Sequence, residues 1–573
     1  MRRSIALVFI LILTVSSLMI VKLALAQQST VYIKATGDVY PIGAPVQRSG
    51  DIYSLTDDVY GKIVIEKDNV ILDGQGHSVV GGANLYNIDT SSVGIVCEAR
   101  NNITIRGTTV RFHGSGIQIS FSTNCTIASN NITSNEYGVW LYYTSNCTLQ
   151  SNTIAGSFQD AVWVYHSSNN HMIQNSITEP NEGVIGELIG FKLLTDSNFN
   201  LIIDNYIWAN SGVYLNSSFG NQILQNNIQS GHGIDLNFSP NNTISNNYVS
   251  GIIVSDASDR NVLTKNTIYG MGGVTLNFSS YASVSENHFL TQNLMDGEFE
   301  GILNIYGSNL EHFLHTIDTS NNVNGKTIYY LQNKTDLLIN SSSYPNSGFI
   351  AVINSRNVTI ENFAFSNQNE AILLAFTNDS WIQNNAVIRS IHTIRLVGAY
   401  NNVVSANTIT NNEYGLSLVL SNNNTIQNNS FVNNSWYGIG LDRSSTNRIL
   451  NNTITGSRYD VIFSHVSVNN EFVSNRFNDQ TPYYYELSYL VEVGQPPVAS
   501  HSPTEEPTLT PTQEPTTFPS SSPTPQQQTG APRTALPTEV IIIIIVLIAV
   551  IVVLAGATLV FYRKTNRKST VNN

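Results

Sequence analysis

Short apolar runs alternate with polar turns along most of the chain, on a nearly constant beat. The recurring unit is Asn-x-Ile-x-x-Asn-x-Ile, followed by a polar turn and then Gly-Val/Ile-x-Leu. Clear copies begin at Cys125, Cys147, Asn221 and Asn261. Taking the last apolar residue of each copy as a ruler gives Val110, Ile132, Ile154, Ile177, Ile207, Ile228, Val249, Ile268 and Phe289. A second run gives Phe365, Val387, Ile409, Phe431, Ile454 and Phe477, and most gaps lie between 19 and 23 residues. Alternating Ile and Val read as short strands, and the Asn, Ser and Gly clusters between them as turns. One coil cannot bury its inward apolar row, whereas stacking coils at strand spacing builds a continuous column and satisfies the backbone ladder. The pattern therefore predicts an all-β fold, a right-handed parallel β-helix solenoid of about 22 residues per coil. A leucine-rich repeat is the rival for such a period, but no consistent leucine frame is present.

Stacking also explains why Asn recurs at one turn position, because each side-chain amide can bond the amide above and below it. Asn130, Asn152, Asn175, Asn205, Asn226, Asn247, Asn266, Asn407, Asn429, Asn452 and Asn475 are expected to form that structural column. Two interruptions stand out. The coil between Ile177 and Ile207 is about eight residues too long, and its excess, Glu179 to Glu187, is expected to protrude as a loop. From Leu290 to Gly348 the motif fails, which leaves either degenerate coils or a small inserted structure. The expected organisation is a capping region (27–60), a first repeat block (61–289), the irregular segment (290–348) and a second block (349–492).

The two ends change the picture from fold to location. Arg2 and Arg3, an apolar run from Ile5 and the small residues before Gln27 read as a secretory signal over 1–26; an uncleaved anchor is the alternative. A Pro-, Thr- and Ser-rich stretch (493–538) cannot bury enough surface to order itself and reads as an extended stalk. Residues 539–562 read as a single transmembrane helix, and the basic tail (563–573) places the C-terminus in the cytoplasm and the repeats outside the cell membrane. A net charge of -13 with no basic stripe argues against a nucleic-acid partner. About sixteen Asn-X-Ser/Thr sequons include Asn102, Asn216, Asn277, Asn333, Asn378 and Asn451, candidates for N-glycosylation in an exported chain.

The first coil, Asp68-Asn69-Val70-Ile71-Leu72-Asp73-Gly74-Gln75-Gly76-His77, resembles the opening signature of the NosD-like β-helix proteins, the periplasmic copper-binding family. The segment from His315 to Tyr330 resembles an element of archaeal surface members of that family. The resemblance covers about residues 60 to 480. It implies a β-helix and three unrelated activities within the wider group: copper-site assembly, carbohydrate binding and sugar cleavage. A shared solenoid transfers none of them by itself.

Each of these chemistries makes its own demand on the residues. Cys125 and Cys147 occupy one place in adjacent coils, and three states are open to them: stacked core residues, a disulfide, or a thiolate metal pair. Glu311, His312 and His315 lie near Asp318 but lack the zinc-hydrolase order, so polar residues at a strand edge compete with a metal reading. Asp160 and the Gly231-His232-Gly233 element are similar to polygalacturonase motifs. They lie about three coils apart, roughly 15 Å, too far to share one working site. No catalytic set, metal or cofactor is assigned. Aromatics on coil edges, above all Trp140, Tyr142, Trp163 and Tyr165, suit sugar stacking, and residues two apart on a strand share a face. The expected function is thus a non-enzymatic surface scaffold binding envelope glycans or surface proteins, with a polysaccharide hydrolase or lyase and a copper-handling protein as alternatives.

Overall fold

The computed structural model describes residues 29–82, 88–179, 188–290, 303–478 and 482–486. The expected signal, stalk, membrane helix and basic tail lie outside these residues, as does most of the loop after Glu179. What is described is a parallel β-helix of the right-handed type, all β, with about 22 residues per turn.

A representative coil carries Thr148–Gln150 on a first face, Thr153–Ala155 on a second and Asp160–Tyr165 on a third. Each strand pairs in parallel with its equivalents in the coils before and after. Ile132, Ile154 and Ile177 are successive partners on the second face, and Val139, Val162 and Phe191 on the third. These inward residues are fully buried, whereas their strand neighbours point outward. The period of two within strands and of about 22 between coils thus builds one apolar column per face.

The corner between first and second faces explains the Asn beat. The chain turns there through one left-handed residue, such as Ser151 (φ 53°), and the next residue, Asn152, directs its side chain inward. Asn152 Nδ2 donates to Asn175 Oδ1 at 3.0 Å and to the Ile127 carbonyl at 2.8 Å. Its Oδ1 accepts from the Asn130 backbone N–H and from Asn130 Nδ2. Each amide thereby replaces the backbone bonds that a tight corner interrupts, which a buried turn requires. In the first block this chain of amides passes through Asn130, Asn152, Asn175, Asn205, Asn226, Asn247 and Asn266 and goes on to Asn287 and Asn321. In the second block it links Asn385, Asn407, Asn429, Asn452 and Asn475. Asn287, Asn321 and Asn385 are members that the repeat reading omitted. The corner between third and first faces holds a further ladder, for example Asn402 to Asn424 to Asn447.

The opening signature is a structural turn. Asp73 pairs with Arg106 at 2.7 Å and accepts from the Gln75 N–H, while Gly76 takes φ 84°. Gly74 has no room for a side chain, since a Cβ there would lie 2.4 Å from the Gly107 carbonyl oxygen of the next coil.

Over the irregular segment the described residues complete one more coil. Leu303–Tyr306 extends the third face, Thr316–Ile317 the first and Asn322–Val323 the second. The chain then reverses through a hairpin at Asn324 and Gly325 into Lys326–Gln332, which starts the third face of the second block. The hydrophobic interior accordingly divides into two clusters. Strands of the second block's third face are buried on both sides, as in Glu370–Ala375, because their outward Leu373 and Ala375 pack into the first cluster with Phe313.

Candidate functional site

In the first block, by contrast, the outward side of the third face is open. Strand register sets Gln118, Trp140, Trp163, Lys192, Tyr214 and Asp235 one above another along the rod. The Trp140 and Trp163 rings stack at 4.9 Å with an interplanar angle of 4°, and Tyr142 stacks on Tyr165 at 5.6 Å and 9°. Tyr137 packs on Trp163 at 5.3 Å, and Tyr143 extends the array to His166 at 4.7 Å. The four sequence-derived aromatics are all half-buried. Parallel in-register strands hold the rings parallel and stacked at coil spacing, so the surface is preformed.

This face continues into a cleft of about 720 Å³ at the corner between second and third faces, lined by Glu179, Trp208, Gln229, Ser230, His232 and Tyr269 among others. Two departures from the period shape it. The long coil after Ile177 supplies Glu179 and Ile189 at one wall. Three coils later, Tyr248–Ser255 has eight residues where the strands around it, Asn227–Asn237 and Thr267–Asn277, have eleven. The shortfall opens a notch, which Tyr269 spans by donating its hydroxyl to the Ile228 carbonyl at 3.1 Å. The sequence reading missed this cleft, although the 19-residue gap between Val249 and Ile268 was its signal.

The carboxylates on this face have distinct surroundings. Asp160 is 3% exposed and bonded to Lys192 at 3.2 Å; burial pushes its pKa up and Lys192 draws it back. Burial also raises Asp235, which His232 partly offsets. They stand three coils apart, roughly 14 Å at strand spacing, beyond the 5 to 9.5 Å of a glycosidase pair.

Elsewhere, Cys97, Cys125 and Cys147 are free and buried. The disulfide considered for Cys125 and Cys147 is not formed: the Cys125 N–H donates to Cys147 Sγ at 3.4 Å. Equivalent residues in parallel stacked coils project side by side at strand spacing, whereas a disulfide needs its Cβ atoms near 3.8 Å. His315 is buried with both ring nitrogens engaged, accepting from the Ala282 N–H at 3.2 Å and meeting the His312 carbonyl at 2.9 Å. Among the sequons, Asn102, Asn333 and Asn451 are exposed at left-handed turns, while Asn216, Asn277 and Asn378 are half-buried.

A family model described as periplasmic copper-binding protein (NosD) matches residues 30–212, 207–308 and 308–489. The chain belongs to the NosD family. Thiolate and thioether donors select Cu(I), and imidazole suits copper in either state. In this NosD-family chain the thiols are sealed in the core, and the metal-ligand cluster among the described residues is Asp57, Asp58 and His77 in the first coils. Two carboxylates and one imidazole supply none of the thiolate or thioether donors that select Cu(I), and the Asp58 carboxylate also accepts from the Ser78 N–H at 2.8 Å. No curated protein matches the chain in sequence. Solved structures similar to it include the PL6-family alginate lyase AlyGC (11% identity, 78% of this chain, 85% of that chain, TM-score 0.26). Others are the A-module of the Azotobacter vinelandii mannuronan C-5 epimerase AlgE4 (13%, 80% and 92%, 0.19) and the periplasmic alginate epimerase AlgG (11%, 78% and 83%, 0.16).

Proposed function

We propose that this NosD-family protein is a membrane-anchored surface β-helix that binds glycans along the third face of its first block without cleaving them. The observation that supports the reading is the parallel stacking of Trp140 on Trp163 and Tyr142 on Tyr165 in half-exposed positions. Rings stacked in this way present a rigid apolar strip of ring edges, against which sugar C–H groups can pack with little loss of side-chain entropy, while amides and hydroxyls nearby meet the sugar hydroxyls. Turnover is disfavoured because Asp160 is committed to Lys192 and Asp235 lies three coils away. The leader, stalk and terminal helix read from the sequence would hold this face outside the cell.

The test is a glycan array with the full-length protein, followed by affinity measurements on hits for Trp163→Ala and a parallel assay for released reducing ends. Binding that weakens about tenfold or more in the variant, without product, is expected. Product release from any bound glycan, or binding untouched by the variant, refutes the reading.

A further inference from the structure

We infer that the ligand of the third face is an uncharged glycan rather than a polyuronate, an inference that rests on the glycan reading above. Among the described outward residues of this face between Ser115 and Asn237, Lys192 is the one Lys or Arg. Its ammonium group lies 5.9 Å from the Trp163 ring centroid, where it would meet a sugar carboxylate on the aromatic track. That position is already neutralised, because Lys192 bonds Asp160, and Asp160 is nearly inaccessible to any other cation. Diverting Lys192 to a ligand would leave a buried carboxylate unpaired, a costly state.

The other fixed charges on the track are negative. Asp235 continues the column beyond Tyr214, and Glu179 lines the cleft beside it. At the other end Glu136 borders Tyr137, its carboxylate held by Gln159 at 2.7 Å. A polymer with one carboxylate per sugar would bring several of its charges within a Debye length, about 10 Å at 0.1 M salt, of these groups. Hydroxyl-bearing sugars meet no such opposition, and Gln229, Asn210 and Ser230 in the cleft offer both donors and acceptors to them.

The experiment compares β-1,4-linked glucose oligomers with β-1,4-linked glucuronate oligomers of equal length, which differ only at C6, on the full-length protein at low and high salt. The expected result is binding of the neutral series and, for the uronate series, affinity at least about tenfold weaker that rises with salt. In the Asp235→Asn/Glu179→Gln variant the uronate-to-neutral affinity ratio should rise about tenfold, a ratio insensitive to partial loss of folded protein. Equal or tighter uronate binding that falls with salt overturns the inference while leaving the glycan reading intact. If neither series binds and the array is blank, the glycan reading fails and this inference with it.

Discussion

The two blocks present the same face of the same coil in opposite circumstances. In the first, the middle outward position of the third face reads Gln118, Trp140, Trp163, Lys192, Tyr214, Asp235, and the rings stand half-exposed. In the second, the equivalent column reads Ala351, Leu373, Arg395, Ser417, and these residues are buried. The last coil of the first block covers them: Arg395 donates to the Ile305 carbonyl at 2.9 Å, and Phe313 meets Phe376 with ring centroids 5.8 Å apart. One repeat thus serves two purposes. Where its third face meets solvent it carries large amphipathic rings, and where it meets protein it carries small or aliphatic residues and a matched ion pair.

The strongest way to break this comparison is at Arg395, which is 5% exposed and holds Glu370 with both Nε and Nη2, at 2.6 and 2.8 Å. Arg395→Met should destabilise the second block by about 3 to 5 kcal/mol because Glu370 is left buried and unpaired. Glu370→Leu/Arg395→Met should recover most of that loss, as read by hydrogen exchange of the Glu370–Ala375 amides.

Truncating the two equivalent columns should separate stability from binding. Leu373→Ala is expected to cost about 2 to 5 kcal/mol with glycan affinity unchanged, whereas Trp163→Ala should cost about 1 kcal/mol and lose the affinity. Denaturant melts and binding isotherms on the same samples check both, and a binding defect in Leu373→Ala would dissolve the distinction.

The coil that joins the blocks should be sensitive to acid. Burial pulls the His315 pKa down from its ordinary value of 6.5 to about 4. The folded state therefore holds the neutral ring: stability is complete above about 6.5 and is lost as pH falls through the window towards 4, by up to roughly 3 kcal/mol. Protonation removes the acceptor for the Ala282 N–H, so His315→Gln should flatten the melting temperature between pH 6.5 and 4 although it lowers the neutral-pH value.

The ladders should respond alike in both blocks. Asn226→Ala and Asn429→Ala each orphan corner groups and should each cost about 1 to 3 kcal/mol; a difference above about 1 kcal/mol would show that the blocks differ in more than their third faces. The smallest effect is expected at Asp235, whose pKa burial raises. The penalty for its charge is absent below the usual Asp pKa of about 4 and sets in as pH rises through the raised folded value. Asp235→Asn should consequently stabilise by less than about 1 kcal/mol at pH 7 and not at all near pH 3, as thermal melts at the two pH values would reveal.

The period, the inward Ile and Val columns and the corner role of residues such as Asn152 follow from the amino-acid sequence alone, because solenoid contacts repeat at a fixed separation and a short motif encodes each of them. That Trp140 shares a face with Tyr142, and Trp163 with Tyr165, was legible from their two-residue spacing along a strand; the stacking of Trp140 on Trp163 came with the register between coils. Departures from the beat were visible as lengths but not as shapes. A long coil and a short coil read as irregularities, yet the cleft they make together exists only once Glu179, Trp208 and Tyr269 are brought to one corner from three different coils. Whether an outward residue meets water or protein was also decided by tertiary structure. The hairpin at Asn324 and Gly325 reverses the chain and lays one block's face against the other's last coil, and that contact, made between residues 90 apart such as Ile305 and Arg395, leaves no trace in a 22-residue repeat.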